Sequence, residues 1–434
     1  MSAQPNRKQQ RLARELAKSE DVPYQTALNQ IRETAEPQSP SPVGSVPRTT
    51  LFDQIERTNA SPAGYNEDSF SFLNRVAGPY WQRARTALDD WYAVFPDTSA
   101  DLWKRFRKAD PKQHYAAWWE LYLHHLFTNL GFRVTPNAEL PEGGSRPDLL
   151  VERGSHFFYV EAVTVFSGIV SGESHTALEP RILDIINTID ASNYFVTVRF
   201  ARSSTAMPKA ADITRPIEKW MAEHDPDDIL KLQASDLPTT LIATGDWVLE
   251  LGLMPRSPEF RGKPDNRLVG TSGATAGFTN DRQQIYRALE RKKKQHKAPD
   301  GPTVIALMAV NGFVDDTEFT DALFGSQSVR MEIATGATTV TRNPDGFWVA
   351  QRGAASKKVS AVLSGVSVLP TNCATTPLRL WHHFTPNREL TIDLPFATAR
   401  IVDDQLVLAD AAREPHDMLG LAADWPGPHP PFPR

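Results

Sequence analysis

The sequence predicts an α/β fold, a central mixed sheet flanked by helices, on three observations. Beyond about residue 130, apolar segments of strand length alternate with amphipathic segments of helix length. Two strand segments, HFFYVEAVTV (156–165) and PTVIALMAV (302–310), are almost continuously apolar, as in strands covered on both faces. Of 434 residues, 40% are hydrophobic and 23% charged, which is ordinary globular usage with material for a sizeable core.

In chain order, residues 1–34 read as a helical arm. NRKQQRLARELAKS (6–19) sets Leu12 and Leu16 among Arg7, Lys8, Arg11, Arg14 and Lys18, and YQTALNQIRE follows with Tyr24, Leu28 and Ile31 at helical spacing. The arm is too small to stand alone. It is either a contact surface for nucleic acid or a protein partner, or a solvated appendage. Residues 35–68, beginning within ETAEPQSPSPVGSVPR (33–48), read as a disordered linker, which puts the beginning of the folded body near residue 68. A single α/β domain is expected over 69–400, and 401–434 as a partly extended, proline-rich tail.

Within that domain, Phe70 to Arg107 is helical and aromatic, with Trp81, Leu88, Trp91, Tyr92 and Phe95 as packing residues. A second helix opens at Pro111, suited to a first turn, and closes at Gly131, a natural residue for a left-handed stop. FRVT, DLLVE and HFFYVEAVTV follow as strands, the last two joined by a turn at Arg153 and Gly154. Further on, ILDIINTI is helical, YFVTVRFA a strand, ITRPIEKWMAEH a helix and DWVLELGLMP a strand. RQQIYRALERKKKQHK is an amphipathic helix, PTVIALMAV a buried strand and DDTEFTDALFG a short capped helix.

Composition narrows the function. No apolar run approaches the length of a membrane span, and the basic N-terminus lacks the apolar core of a secretion signal. The one cysteine, Cys373, cannot form an internal disulfide or a multi-cysteine zinc site, so a cytoplasmic protein without a membrane partner is expected. A net charge of −5 confines any nucleic-acid contact to local basic patches.

Chemistry concentrates in the strand HFFYVEAVTV. Glu161 stands in its apolar middle, where a carboxylate is costly unless a cation or hydrogen-bond donors compensate it. Asp148 opens the neighbouring strand after Pro147, and antiparallel pairing brings it towards Glu161. Two converging carboxylates suit Mg2+, or Mn2+ in its place, an ion that polarises a phosphoryl oxygen and acidifies a water for in-line attack.

With RPDLLV, VEAV and the upstream helix AAWWELYLHHLF, the chain resembles the PD-(D/E)xK, or restriction-endonuclease-like, nuclease superfamily. There a Pro-Asp pair opens one strand and Glu-x-Lys stands on the next. The helix IYRALERKKKQH followed by APDGPTVIALMAV is similar to a pattern in nuclease-like bacterial proteins. The resemblance implies a restriction-endonuclease-like core and Mg2+-dependent phosphodiester cleavage, with DNA ahead of RNA as substrate. It further implies metal held by Asp148, Glu161 and the Ala162 carbonyl, with Glu120 from the helix assisting directly or through water. The superfamily lysine belongs at position 163, on the same strand face as Glu161, and here that position is Val163. Without a substitute cation the alternative is an inactive nuclease-fold protein that binds nucleic acid or a protein. Lys292 is the candidate substitute, because Ile285, Leu289, Lys292 and His296 share a helical face that excludes Lys293, Lys294 and Lys297.

Other chemistries lack their motifs. His124 and His125 are neighbours on a helix and diverge by about 100°, and no HExxH occurs. His114, His156, His175, His382 and His383 have no ligand-like spacing. TSGATAGFTN lacks the Lys-Ser/Thr ending of a phosphate loop, and no GxSxG is present.

Overall fold

The structure is a computed structural model that describes residues 50–139, 146–166, 178–190, 192–233, 236–262, 267–270, 281–295, 300–310, 314–331, 338–403 and 405–429. Contacts divide the chain into Met1–Thr49 and Thr50–Arg434, and every described residue belongs to the second unit. The expected arm of residues 1–34 and the Pro/Ser-rich part of the linker therefore lie outside the described residues, as do residues 271–280 and His296.

The unit opens with helices α1 (Ser69–Arg75), α2 (Pro79–Val94), α3 (Asp101–Phe106) and α4 (Pro111–Asn129). Asp110 caps α4 by accepting from the Lys112 N–H, and Pro111 occupies its first turn. Gly131 ends it at φ +84°, with Phe132 N donating to Phe127 O and Gly131 N to Thr128 O, the paired bonds of a left-handed stop. Strands β1 (Arg133–Pro136), β2 (Leu149–Arg153) and β3 (His156–Val165) then form an antiparallel meander whose last turn holds Gly154 at φ +63°.

After the meander the chain leaves the sheet. Helix α5 (Glu179–Ile186), strand β4 (Tyr194–Arg202), helices α6 (Ala210–Ala222) and α7 (Pro226–Ile229), and strands β5 (Thr239–Thr244) and β6 (Trp247–Pro255) make a three-stranded antiparallel sheet, order β4-β6-β5. These elements enclose an apolar core of their own, with Ile182, Val196, Ile213, Ile217, Trp247 and Leu251 buried. One α/β layer system was expected over this span, and the structure divides it. Helix α8 (Asp281–Gln295) returns the chain to the main sheet as β7 (Thr303–Ala309), parallel to β3.

Helix α9 (Asp316–Phe324) follows, started by Asp315 and Glu318, whose side chains each accept from the other's end of the first turn. Hairpins β8 (Gln327–Met331) with β9 (Thr338–Arg342), and β10 (Val349–Ala350) with β11 (Gly353–Ala354), precede β12 (Ala361–Val366), β13 (Arg379–His382), β14 (Ala397–Val402), β15 (Gln405–Ala409) and helix α10 (Pro415–Leu419). The main sheet is mixed and eight-stranded, in the order β1-β2-β3-β7-β12-β13-β14-β15.

Period-two alternation explains why β7 is buried throughout. Val304, Ala306 and Met308 face the layer containing α4, whereas Ile305, Leu307 and Ala309 face α8 and α9. On α4, Trp119 Nε1 donates to Ala306 O at 2.9 Å and ties the helix to β7.

Two domain limits differ from expectation. The linker was expected to run to residue 68, yet Leu51 and Phe52 are 0% and 2% exposed. Phe52 stacks on Phe70, the Asp89 carboxylate accepts from Leu51 N at 2.7 Å, and Arg107 binds Asp53 at 2.6 Å, so the folded unit begins at Thr50. At the other end, residues 405–419 add β15 and α10, and Met418 and Leu419 enter the core under α4. The expected tail of 401–434 is thus part of the fold through that helix and beyond it, where Trp425 Nε1 donates to Pro370 O at 3.1 Å and the His429 ring meets Tyr80.

Candidate active site

Register sets the geometry. Leu149 pairs with Val160, so Asp148 arrives one step beyond the end of β2, opposite Glu161. β3 continues to Val165 after β2 has begun, which leaves the β2-side edge of Ala162 without a strand partner. The Asp148 side chain fills that place: its Oδ2 accepts from Ala162 N at 2.7 Å. In an extended strand the N–H and C=O of one residue lie on the same edge, so the Ala162 carbonyl points to the Asp148 side as well.

Glu161 lies on the sheet face covered by α8 and is 3% exposed. On α8 the face buried against the sheet carries Ile285, Ala288 and Leu289, and Lys292 continues it one turn further. The Lys292 Nζ donates to Asp148 Oδ2 at 2.7 Å and to Glu161 Oε2 at 3.1 Å. Burial opposes the ammonium charge, but Asp148 and then Glu161 outweigh it and hold the lysine above its usual pKa. Its neighbours point elsewhere: Lys293 binds Glu290 and Ser356 Oγ, and the Lys294 side chain is 75% exposed. Val163 is partly buried among the apolar residues of the α8 face, so the strand position next to Glu161 has no charge to offer.

Glu120 comes from the opposite layer on α4, and both its oxygens are taken. Arg105 of α3 donates Nη1 to Oε1 at 2.9 Å and Nη2 to Oε2 at 2.7 Å. Burial raises the Glu120 pKa against the pull of that guanidinium; Asp148 raises it further and Lys292 lowers it, so its charge is felt at the pair. The sequence offered no signal for Arg105, since its only local pattern is a surface-type i,i+4 pair with Asp101.

The histidines do other work. His114 bonds Phe106 O, His125 stacks on Trp91 and bonds Leu419 O, and His383 bonds Ala355 O. Among the described residues no group of three or more His, Cys, Asp or Glu side chains is placed to hold a metal. Two carboxylates that share one cation, with a backbone carbonyl on the same edge, nevertheless form a donor set that suits Mg2+, an ion that keeps several waters and needs one or two carboxylates. No helix among the described residues is long and apolar enough to cross a membrane.

No family model, curated protein or solved structure matches the chain.

Proposed function

We propose that the protein is a metal-dependent phosphodiesterase that cleaves nucleic acid, with DNA ahead of RNA as substrate. The observation that carries this reading is the convergence of Asp148 and Glu161 on one Lys292 ammonium, from three elements of which the last lies 131 residues beyond Glu161. A meander β1-β2-β3 with β7 laid parallel to β3 after the inserted β4-β6-β5 sheet and helix α8 also agrees with a restriction-endonuclease-like core.

In this reading Asp148, Glu161 and the Ala162 carbonyl hold Mg2+ or Mn2+. The bound ion supplies charge stabilisation at the phosphoryl oxygen and acidifies a water. Lys292 contributes a positive charge to the scissile phosphate or the attacking water, the part that Val163 cannot play. Glu120 lies behind this group, oriented by Arg105, and assists through its negative charge. The rival reading, a nuclease-fold protein that only binds, drew on Val163; a lysine within 3.1 Å of both carboxylates favours chemistry over binding alone.

Plasmid DNA, single-stranded DNA and RNA, each incubated with Mg2+, Mn2+ or EDTA, test the reading. Cleavage is expected with either metal and not with EDTA, and Glu161→Gln is expected to lower it by more than about 100-fold while circular dichroism stays unchanged. Metal-dependent cleavage that survives in Glu161→Gln removes the site from consideration.

A further inference from the structure

Lys292 donates to the same Asp148 oxygen that the Ala162 N–H engages, and it also reaches Glu161. One of the two carboxylate charges is thereby offset by the chain itself, and a divalent ion would have to share both carboxylates with that ammonium. Its side chain is 16% exposed and belongs to the last turn of α8, on a flexible stem of four methylenes. Two cations cannot keep the full benefit of one oxygen, because each lowers the negative potential the other needs.

We infer that Lys292 is a built-in competitor of the metal: it satisfies Asp148 and Glu161 in the metal-free protein and gives up part of that contact when the ion enters. The freed ammonium is then available to a phosphate, so the charge reaches the substrate only in a loaded site. This inference rests on the metal-dependent reading above and adds an order of events to it. The consequence separates binding from catalysis. Removing the lysine side-chain charge strengthens metal binding while it weakens cleavage, the opposite of what loss of a simple supporting contact would do.

The test is a titration of the metal-free full-length protein with Mn2+, followed by electron paramagnetic resonance and calorimetry at fixed pH and ionic strength. Lys292→Met is expected to bind Mn2+ about tenfold more tightly than the wild type, since the competing charge is gone. Lys292→Arg, which keeps the charge, is expected to stay near wild-type affinity, and Asp148→Asn to lose binding. Thermal melts give a second readout: in EDTA Lys292→Met melts below the wild type, and saturating Mg2+ raises its melting temperature by more than it raises that of the wild type. If Lys292→Met fails to fold, Lys292→Gln carries the same comparison. Equal or weaker Mn2+ binding by the charge-removing variant overturns the competition while leaving the metal site standing. Absence of Mn2+ binding in both wild type and variant overturns the metal-dependent reading and the competition with it.

Discussion

At the scale of single residues, burial without a partner decides how some groups titrate. His124 on α4 is 5% exposed, its Nδ1 has no hydrogen-bond partner, and Phe95 meets its ring edge-on at 4.9 Å. Burial, reinforced by His125, lowers its pKa from 6.5 to about 4. In the unfolded chain the ring takes up a proton near its ordinary value, whereas in the fold it stays neutral until the pH has fallen to about 4. Between those values the unfolded state binds more protons, so stability falls as the pH is lowered, by up to about 1.4 kcal/mol per unit for this one group. Denaturant titrations at pH 7, 6 and 5 are expected to show that loss, and His124→Gln is expected to have a shallower slope. An unchanged slope assigns the loss to other groups. Residue identity alone displayed Glu161, because a charge inside an apolar strand stands out. It did not display Arg105, whose role exists only once α3 and α4 are packed.

At the scale of elements, α8 shows how packing serves the site. Its residues Ile285, Ala288 and Leu289 are wholly buried against β3 and β7, and this anchors the turn from which Lys292 reaches across to Asp148. Leu289→Ala is expected to cost about 3 kcal/mol of unfolding free energy through the cavity it leaves. Its effect on cleavage is expected to exceed that of an equal destabilisation placed in the β4-β6-β5 sheet, for example by Leu251→Ala. Chemical denaturation and initial cleavage rates of both variants check the claim, and equal rate losses would show that α8 packing does not position the lysine. This helix was legible because four residues repeat at helical spacing. β5 was not, since TTLIAT has the short, half-exposed pattern of an edge strand and offers no run to detect.

At the scale of the whole unit, the N-terminal limit is set by contact rather than composition. The residues after Thr50 are mostly polar, but Leu51 and Phe52 insert between α1, α2 and α3, and side chains of Asn74, Asp89 and Arg107 satisfy the backbone and carboxylate beside them. A chain that starts at Thr50 keeps every described residue of the unit and is the reference for a shorter one. One that starts at Ser69 loses two fully buried side chains, worth about 3 to 6 kcal/mol together, and is expected to melt well below it or to aggregate. Calorimetry of the two truncations decides. A stable Ser69 start would show that residues 50–68 only decorate the fold.

The sequence by itself determined the α/β class, the meander and its turn, the caps of α4, and the converging pair Asp148 and Glu161, because these follow from periodicity, turn chemistry and the cost of a charge in an apolar strand. Tertiary structure decided the rest: that β4, β5 and β6 form a separate sheet, that residues 50–68 are packed, that Glu120 is claimed by Arg105, and that Lys292 stands where Val163 cannot. The reason is range. A local pattern records which face of an element is apolar, but which distant side chain meets that face depends on how all the layers close around it.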